Sequence, residues 1–232
     1  KSRAWAAAWS GRSKDMFAFY NPELYSIANE SFAAFRANKE RLFQMFPWLH
    51  TIVSNVQALP GPGYWVTWFS QYYRAPNMTA EGIRRLYWQK STDGSFRIVG
   101  MEWIEQDMGM AAEYLETVEP GISDFIEKWR AAWENGDIKT YIADYAPDAV
   151  QGGRRGRNAI QQQKEALWRG AKPTKVEFSG VFLATDSGGI KVDMQQSFSD
   201  AKGFSDKGIK TLILTPTADG WAIVSEEWTA ES

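Results

Sequence analysis

The sequence predicts two tandem copies of one α+β unit. An internal repeat is the first observation behind this prediction, because six short blocks recur in the same order at a spacing of about 125 residues. The second observation is that the hydrophobic period changes within each copy, from helical spacing to the alternation typical of strands. A chain of 232 residues, 44% of them hydrophobic, is long enough to bury a core in each of two domains.

The repeat assigns equivalent positions to the two copies. The blocks WAAAW, KERLF and IVGMEW of the first copy correspond to WRAAW, KEALW and IVSEEW of the second, and Gln71 and Gln196 are 125 positions apart. The sequence therefore predicts a first domain at residues 1–118 and a second at residues 119–232. Residues 108–118 also show helical spacing, so a linker helix that continues into the second domain is an alternative.

Each copy is predicted to begin with three helices. In the second copy, Ser123 is a candidate N-cap after Pro120-Gly121, and apolar residues at helical spacing follow as far as Asn135-Gly136. Residues 137–145 and 158–169 are predicted to form the next two helices.

Alternation of apolar and polar residues predicts four strands in the second half of each copy. In the second copy these strands include residues 176–182, 192–198, 212–214 and 222–228. Short turn signals separate the strands, at residues 186–189, 200–208 and 219–220, and the first copy has the same order of turns. Because the connections are short, the strands are predicted to be antiparallel.

The composition excludes several kinds of function. The chain has no cysteine and a single histidine, His50, so it has no thiol nucleophile, disulfide, cysteine-ligated metal or multi-histidine metal site. We therefore expect no metal and no cofactor, and we assign no role to His50. The net charge of −2 gives no field that would attract nucleic acid, and no apolar run is long enough to span a membrane. The chain starts without a methionine, and we interpret it as a piece of a longer protein.

Several motifs resemble those of the nuclear transport factor 2-like superfamily. They are a tryptophan-bearing first helix that ends in Asn-Gly-Asp, a strand with a central glutamine, a Gly-x-Lys/Arg-x-Leu strand and a closing Glu-Trp pair. The resemblance covers both halves and is strongest to the domains appended to bacterial L,D-transpeptidase and L,D-carboxypeptidase chains of cell-wall metabolism. It implies a cone-shaped fold in which a curved sheet packs against a long helix and encloses a pocket.

The resemblance also implies a location and partners. It suggests a periplasmic or secreted protein, although the absence of cysteine is equally compatible with the cytoplasm. A homodimer, or a catalytic-domain partner, would form through the sheet. The catalytic domain of such chains depends on a cysteine, so this chain would be a non-catalytic portion or a stand-alone relative.

Polar residues on apolar strand faces are the first candidates for a pocket. Gln71 and Gln196 share a face with Tyr73 and Phe198 in their strands, where each amide either ties the strand to its surroundings or contacts a ligand.

Acidic residues in the last strand of each copy are the second candidates. Glu102 and Glu227 precede a tryptophan, and we expect each to form a salt bridge to the repeated cation, Arg84 or Lys210. A general base is the alternative role for these carboxylates.

Aromatic and basic groups complete the candidates. Trp129 and Trp133 lie four residues apart on one helix face, which favours core packing, although tryptophans also form platforms for sugar rings. Arg154, Arg155 and Arg157 form a basic cluster that is either a solvated loop or an anion contact.

Two function classes follow from these residues. The favoured one is an accessory binding or assembly module of a cell-wall system, whose pocket holds a peptide stem, a glycan or a small molecule. The alternative is an isomerase or dehydratase that acts on a small molecule through a pocket carboxylate. Because the first copy has 7 of the 12 tryptophans, we expect side chains to plug its cavity and leave the second copy as the working site.

Overall fold

The protein consists of two compact units. The computed structural model describes residues 1–27, 30–76 and 78–231, and the chain divides into the units Lys1–Tyr114 and Leu115–Ser232. The division falls a few residues before the predicted boundary at position 118.

The first unit has helices followed by an antiparallel sheet. Its helices are α1 (Ser2–Ser10), a 3₁₀ helix (Lys14–Phe19) and α2 (Phe32–Met45). Its strands are β1 (His50–Gly61), β2 (Tyr64–Ala75), β3 (Met78–Lys90) and β4 (Phe96–Glu105). The strands pair in sequence order, as the short turns between them require.

The second unit repeats this order with two more strands. Its helices are α3 (Ala111–Glu134), α4 (Ile138–Ala143) and α5 (Arg157–Gly170). Its strands are β5 (Tyr145–Gln151), β6 (Arg154–Arg155), β7 (Pro173–Asp186), β8 (Gly189–Asp200), β9 (Ser205–Thr217) and β10 (Gly220–Ala230). The sheet order is β6-β5-β10-β9-β8-β7, in which β5 runs parallel to β10. The predicted fold class, two tandem α+β units with curved sheets, is confirmed.

Two details differ from the sequence-based prediction. Helix α3 runs through Pro120-Gly121 without a break, so Ser123 lies inside the helix and is not its N-cap; the linker-helix alternative describes this segment. The prediction of four strands misses β5 and β6, because β5 pairs with the distant β10 and the Gly152-Gly153 turn that joins it to β6 was interpreted only as a break between helices. Helices α4 and α5 lie at the segments predicted to be helical, residues 137–145 and 158–169.

Strand register shows that the two sheets are built alike. Gln71 pairs with Gly82 in the first sheet, and Gln196 pairs with Gly208 in the second. At the last pair of strands, Arg84 lies opposite Trp103 and Lys210 lies opposite Trp228. The positions that the sequence repeat matches are therefore also matched in the sheets.

Each unit has its own aromatic core between its first helix and its sheet. In the first unit, Trp5 contacts Phe69 of β2 with ring centroids 6.0 Å apart. In the second unit, Trp129 stacks on Phe178 of β7 at 5.5 Å and on Tyr141 of α4 at 5.6 Å. Such ring pairs stabilise a core beyond the area that they bury.

Within the described residues, no helix is both long and apolar enough to cross a membrane.

Candidate functional site

A cavity of about 470 Å³ opens in the second unit between α5 and the sheet. Its aromatic walls are Trp133 of α3, Trp168 of α5, Phe198 of β8 and Phe204 in the turn between β8 and β9. Polar side chains that also line it are Lys164, Gln196, Asp206, Lys210 and Glu226. An apolar wall with a few convergent polar groups is the usual composition of a small-molecule site.

Glu226 is the centre of a buried polar network on one side of this cavity. The side chain is almost fully buried, and its Oε1 accepts a hydrogen bond from the Lys210 ammonium. Its Oε2 accepts from the Tyr145 hydroxyl and from Gln151 Nε2, the latter at 2.6 Å. The Tyr141 hydroxyl lies 2.6 Å from that of Tyr145 and extends the network into the core.

This network keeps Glu226 ionised. Burial by itself would raise the pKa of Glu226, but the charges of Lys210 and Lys164 and the hydrogen bonds of the network outweigh burial and hold the pKa below its usual range. A carboxylate with a lowered pKa and both oxygens bonded is a weak proton acceptor at neutral pH. The arrangement therefore fits a structural anion better than a general base.

Lys164 is the second cation of the cavity, and its side chain is half-buried. Its ammonium lies 4.8 Å from the centre of the Trp133 ring and 5.6 Å from that of Tyr141. Burial lowers the pKa of Lys164 to about 8, Glu226 partly opposes that effect, and the neighbouring cations Lys210 and Arg154 lower the pKa further.

Gln196 and Asp206 present free acceptors in the same cavity. Gln196 Oε1 and Asp206 Oδ1 are both buried, and neither has a hydrogen-bond partner within the described part of the chain. Burial raises the pKa of Asp206, although Lys210, the Gln196 amide and Lys164 each oppose the rise. These acceptors are the polar groups that a bound molecule would find unpaired.

The structure brings several predicted site residues together in this cavity and separates others. Trp133, Gln196, Phe198 and Lys210 all line it, as the sequence analysis predicted for a pocket. Trp129 is fully buried in the core, which agrees with the favoured packing role and removes it from contact with a ligand.

The predicted salt bridge of Glu227 is wrong, because the partner of Lys210 is Glu226. Residues directly opposite each other in an antiparallel pair share a face, and Lys210 lies opposite Trp228. Glu226 shares that face, whereas Glu227 lies on the other face, is exposed and borders the cavity without entering the buried network.

The arginine cluster is divided between two environments. Arg154 is exposed and borders the cavity. Arg157 is half-buried and donates from Nε to the Tyr145 carbonyl oxygen at 2.8 Å, so it anchors the chain between β5 and α5. Arg155 is exposed in a separate depression beside Arg157.

The first unit has an equivalent cavity of about 270 Å³. It is smaller than the cavity of the second unit, but side chains do not fill it, so the expectation of a plugged first cone is wrong. Gln71, Tyr73 and Arg84 line it as predicted, and Gln71 Oε1 accepts from Arg84 Nε at 3.1 Å. This bond gives Gln71 the structural role that was one of its two predicted alternatives.

Glu102 does not reach the first cavity. It is exposed on the outer face of the sheet, where Tyr87 donates to its Oε2 at 2.8 Å and Arg85 at 3.3 Å. The expected salt bridge between Glu102 and Arg84 is therefore wrong for the same reason as in the second unit: the acid before the tryptophan faces away from the cavity.

Sequence reasoning missed Lys39, Lys164, Asp206 and Glu226 as cavity residues. The two lysines begin the repeated blocks KERLF and KEALW, so their recurrence was a usable signal. Glu226 falls in phase with apolar residues of the last strand, and an acid in that phase is a sign of a buried polar network.

Within the described residues, no group of three or more histidine, aspartate or glutamate side chains is arranged to hold a metal ion.

Comparisons with known proteins identify the family. The model of the Cds6 C-terminal NTF2-like domain matches residues 1–102 and residues 121–227. No curated protein sequence matches the chain significantly.

Among solved structures, an NTF2-like protein of unknown function from Pseudomonas putida has 18% identity and a TM-score of 0.45, and the match covers 50% of this chain and 88% of that one. Bd1075 of Bdellovibrio bacteriovorus has 14% identity and a TM-score of 0.44, with 71% of this chain and 90% of that one covered. The helical cell shape determining protein Pgp2 of Campylobacter jejuni has 19% identity and a TM-score of 0.40, over 43% of this chain and 37% of that one. Because the family model matches most of both units, the chain belongs to the family of Cds6 C-terminal NTF2-like domains.

Proposed function

We propose that this chain is a binding module and that the cavity of its second unit holds a small polar ligand with an apolar portion. The observation that carries the proposal is the pair of buried acceptors, Gln196 Oε1 and Asp206 Oδ1, which have no partner among the described residues and line the same cavity as the half-buried Lys164. Leaving a buried polar atom unpaired costs free energy, which a ligand with matching donors would recover.

The charges of the cavity favour a ligand with both a donor and an acid group. An amide or ammonium N–H would satisfy the two acceptors, and a carboxylate would pair with Lys164. The rings of Trp133 and Phe198 lie 5.6 Å apart and offer an apolar wall for the body of the ligand.

The peptide stem of peptidoglycan has this combination of amide donors and carboxylates. The motifs shared with domains appended to L,D-transpeptidases and L,D-carboxypeptidases point to the same class of ligand. We therefore propose an accessory role in the cell envelope, in the periplasm or outside the cell. A glycan ligand would bind mainly through contacts with the aromatic wall and would depend less on an ion pair with Lys164.

A catalytic role is the second candidate, and one observation favours it. Burial raises the pKa of Asp206 and lowers the pKa of Lys164 to about 8, so two groups in one cavity titrate closer to neutrality than usual. An isomerase or dehydratase would use Asp206 as base and Lys164 as acid. The binding role is preferred because Glu226, the most buried carboxylate, is held ionised and fully bonded.

The test is a calorimetric titration of the purified chain with a synthetic stem tetrapeptide. We expect Gln196→Leu to weaken binding by about 10-fold, since the ligand donor would lose its acceptor. The melting temperature should change by no more than about 4 °C, because the lost Oε1 acceptor has no partner among the described residues and the amide that is also lost acts on the half-buried Asp206. Lys207→Gln, an exposed change on the neighbouring strand, serves as the matched control and should leave the affinity unchanged.

Two results would contradict the proposal. Unchanged affinity in Gln196→Leu would remove the amide from the site. Turnover of a small-molecule or cell-wall substrate by the wild-type chain, abolished by Asp206→Asn, would replace the binding role with the catalytic one.

A further inference from the structure

We propose that the first unit contains a separate binding site for an organic anion, in which Lys39 and Arg84 hold a carboxylate and the surrounding rings hold an apolar body. The site is the cavity of about 270 Å³ beside α2. It does not depend on the function proposed for the second unit, because it uses different residues.

The cavity of the first unit combines two cations with an apolar lining. Lys39 of α2 and Arg84 of β3 both line it. The remaining wall includes the rings of Trp9, Phe46, Tyr73 and Trp103. An apolar chamber with two cations suits a molecule that has a charged head and a hydrophobic body.

The comparison with the second unit shows which charges the first unit lacks. Both cations have counterparts, since Lys39 matches Lys164 in the repeat and Arg84 matches Lys210. The acid of the second network has no counterpart: Met101 lies opposite Leu86 in β3, just as Glu226 lies opposite Leu212 in β9.

The second acid is absent as well. Ala80 lies opposite Tyr73, as Asp206 lies opposite Phe198, and Ala80 lines the cavity of the first unit. The first cavity therefore keeps the two cations and has lost both of the acids that accompany them in the second.

Neither cation has a carboxylate partner within ion-pair distance in the described part of the chain. Arg84 donates from Nε to Gln71 and lies 4.7 Å from the Trp103 ring centre. The Lys39 ammonium lies 4.8 Å from the Trp9 ring centre, so each cation is stabilised in part by an aromatic face.

Burial and mutual repulsion make this pair of charges costly. Burial lowers the pKa of Lys39 to about 8, the charge of Arg84 contributes to this shift, and the charge of Glu30 opposes both effects. Burial also lowers the pKa of Arg84 to about 10. An anion between the two cations would relieve both the desolvation and the repulsion.

The guanidinium is the group that favours a carboxylate over a halide or a neutral polar group. Its planar fork donates two parallel hydrogen bonds to a carboxylate, and only Nε of Arg84 is engaged by Gln71 among the contacts described above. Arg84 would hold the carboxylate head, and Lys39 would add a second charge contact.

The experiment titrates the full chain with 4-phenylbutyrate and follows tryptophan fluorescence, with calorimetry as a second measurement. The matched neutral probe is 4-phenylbutanamide, and the matched cation is 4-phenylbutylamine. We expect the acid to bind at least about 10-fold more tightly than the amide, and we expect no binding of the amine.

Two variants test the missing acid directly. Met101→Glu places a carboxylate where the second unit has Glu226, and it should weaken binding of 4-phenylbutyrate by at least about 10-fold, because an internal anion would then occupy the cations. Met101→Gln has nearly the same size without the charge and should bind within about 3-fold of wild type. Lys207→Gln, an exposed change at a residue that lines neither cavity, is the matched control and should leave this binding unchanged.

Four results would overturn the proposal. The first is an amide that binds as tightly as the acid. The second is a Met101→Glu variant that folds and binds like Met101→Gln. The third is an absence of binding of the acid at millimolar concentration. The fourth is loss of 4-phenylbutyrate binding in Lys164→Gln, which removes a cation of the second cavity, because that result would assign the anion to the second unit. Failure of the stem peptide to bind in the second unit would affect only the proposed function.

Discussion

At the scale of single residues, the two units differ at the position that holds the buried acid in the second unit. Glu226 in the second unit pairs with Lys210, and Met101 stands at the equivalent place in the first. In the first unit, the Tyr20 hydroxyl lies 4.0 Å from the Met101 sulfur and accepts from Trp5 Nε1 at 2.9 Å. The equivalent Tyr145 donates to the Glu226 carboxylate, so the same tyrosine serves a neutral core in one unit and a charged one in the other.

Neutralising the buried acid should destabilise the second unit. In Glu226→Gln the ammonium of Lys210 stays buried without its counter-ion, and breaking a buried pair in this way costs about 3–5 kcal/mol of unfolding free energy. The measurement is urea unfolding followed by fluorescence and circular dichroism. Glu227→Gln, an exposed change one residue away, should stay within about 0.5 kcal/mol of wild type. Equal stabilities for the two variants would argue against the role of the network.

The candidate site could be predicted in part from residue types. The repeated glutamines and the cations Arg84 and Lys210 were found because they interrupt apolar alternation at matching places. The correct acid was not chosen, although alternation along the last strand places Glu226, and not Glu227, on the face of Trp228. The two acids are adjacent, so the choice between them requires the pairing of β10 with β9, in which Lys210 lies opposite Trp228. An error of one residue selects a side chain on the opposite face.

At the scale of elements, most helices and strands form where local sequence patterns predict them, and the exceptions depend on tertiary contacts. Pro120-Gly121 was interpreted as a break, yet α3 continues through it. Residues on both sides of the pair are fully buried, Tyr114 in the first unit and Ile122 in the second, and their burial offsets the local cost of proline inside a helix. The pairing of β5 with β10 likewise depends on residues about 75 positions apart, which no local pattern encodes.

A glycine opposite the central glutamine sets the spacing of adjacent strands in both sheets. At Gly208 a Cβ would lie 2.1 Å from the Thr229 carbonyl oxygen, and at Gly82 it would lie 2.1 Å from the Ile104 carbonyl oxygen. In each case the obstacle is the backbone of the next strand, which cannot move aside without disturbing the ladder.

Gly208→Ala should therefore loosen the contact between β9 and β10. We expect a loss of about 1–3 kcal/mol in unfolding free energy, the usual cost of overpacking, and faster amide exchange at residues 208–212. Gly170→Ala is the control, since a Cβ there meets no atom within 4 Å and its φ is not positive. A neutral effect of Gly208→Ala would show that the strands separate at little cost.

At the scale of the whole molecule, the two units share a plan and differ in charge. Each has a tryptophan-bearing helix over a sheet and a cavity beside a lysine of its last helix before the sheet. The first cavity keeps two cations without the acids that accompany them in the second, while the chain as a whole has a net charge of only −2. Net charge thus says little about either site, because the relevant charges are local and buried.

The stability of the whole chain should depend on pH through its single histidine. His50 is half-buried, and its Nδ1 lies 2.8 Å from the Tyr114 hydroxyl. Burial, together with the charge of Arg74, lowers the pKa of His50 to about 4, against about 6.5 in an unfolded chain. Because the folded state binds the proton less readily, this contribution to stability is complete above pH 6.5 and is lost as the pH falls from 6.5 towards 4.

Between pH 7.5 and pH 5.5 the expected loss is about 1 kcal/mol of unfolding free energy, measured as a fall in the urea midpoint of the first unit. The range from pH 7.5 to pH 5.5 lies above the pH at which ordinary carboxylates titrate. The raised pKa of Asp206 would make the second unit more stable, not less, as the pH falls. His50→Gln keeps an amide that can bond to Tyr114 and has no proton to gain, so the fall should disappear in this variant. An equal fall of the urea midpoint in His50→Gln would mean that another group causes the pH dependence. A fall of the same size in the second unit, which has no histidine, would also argue against His50 as the cause.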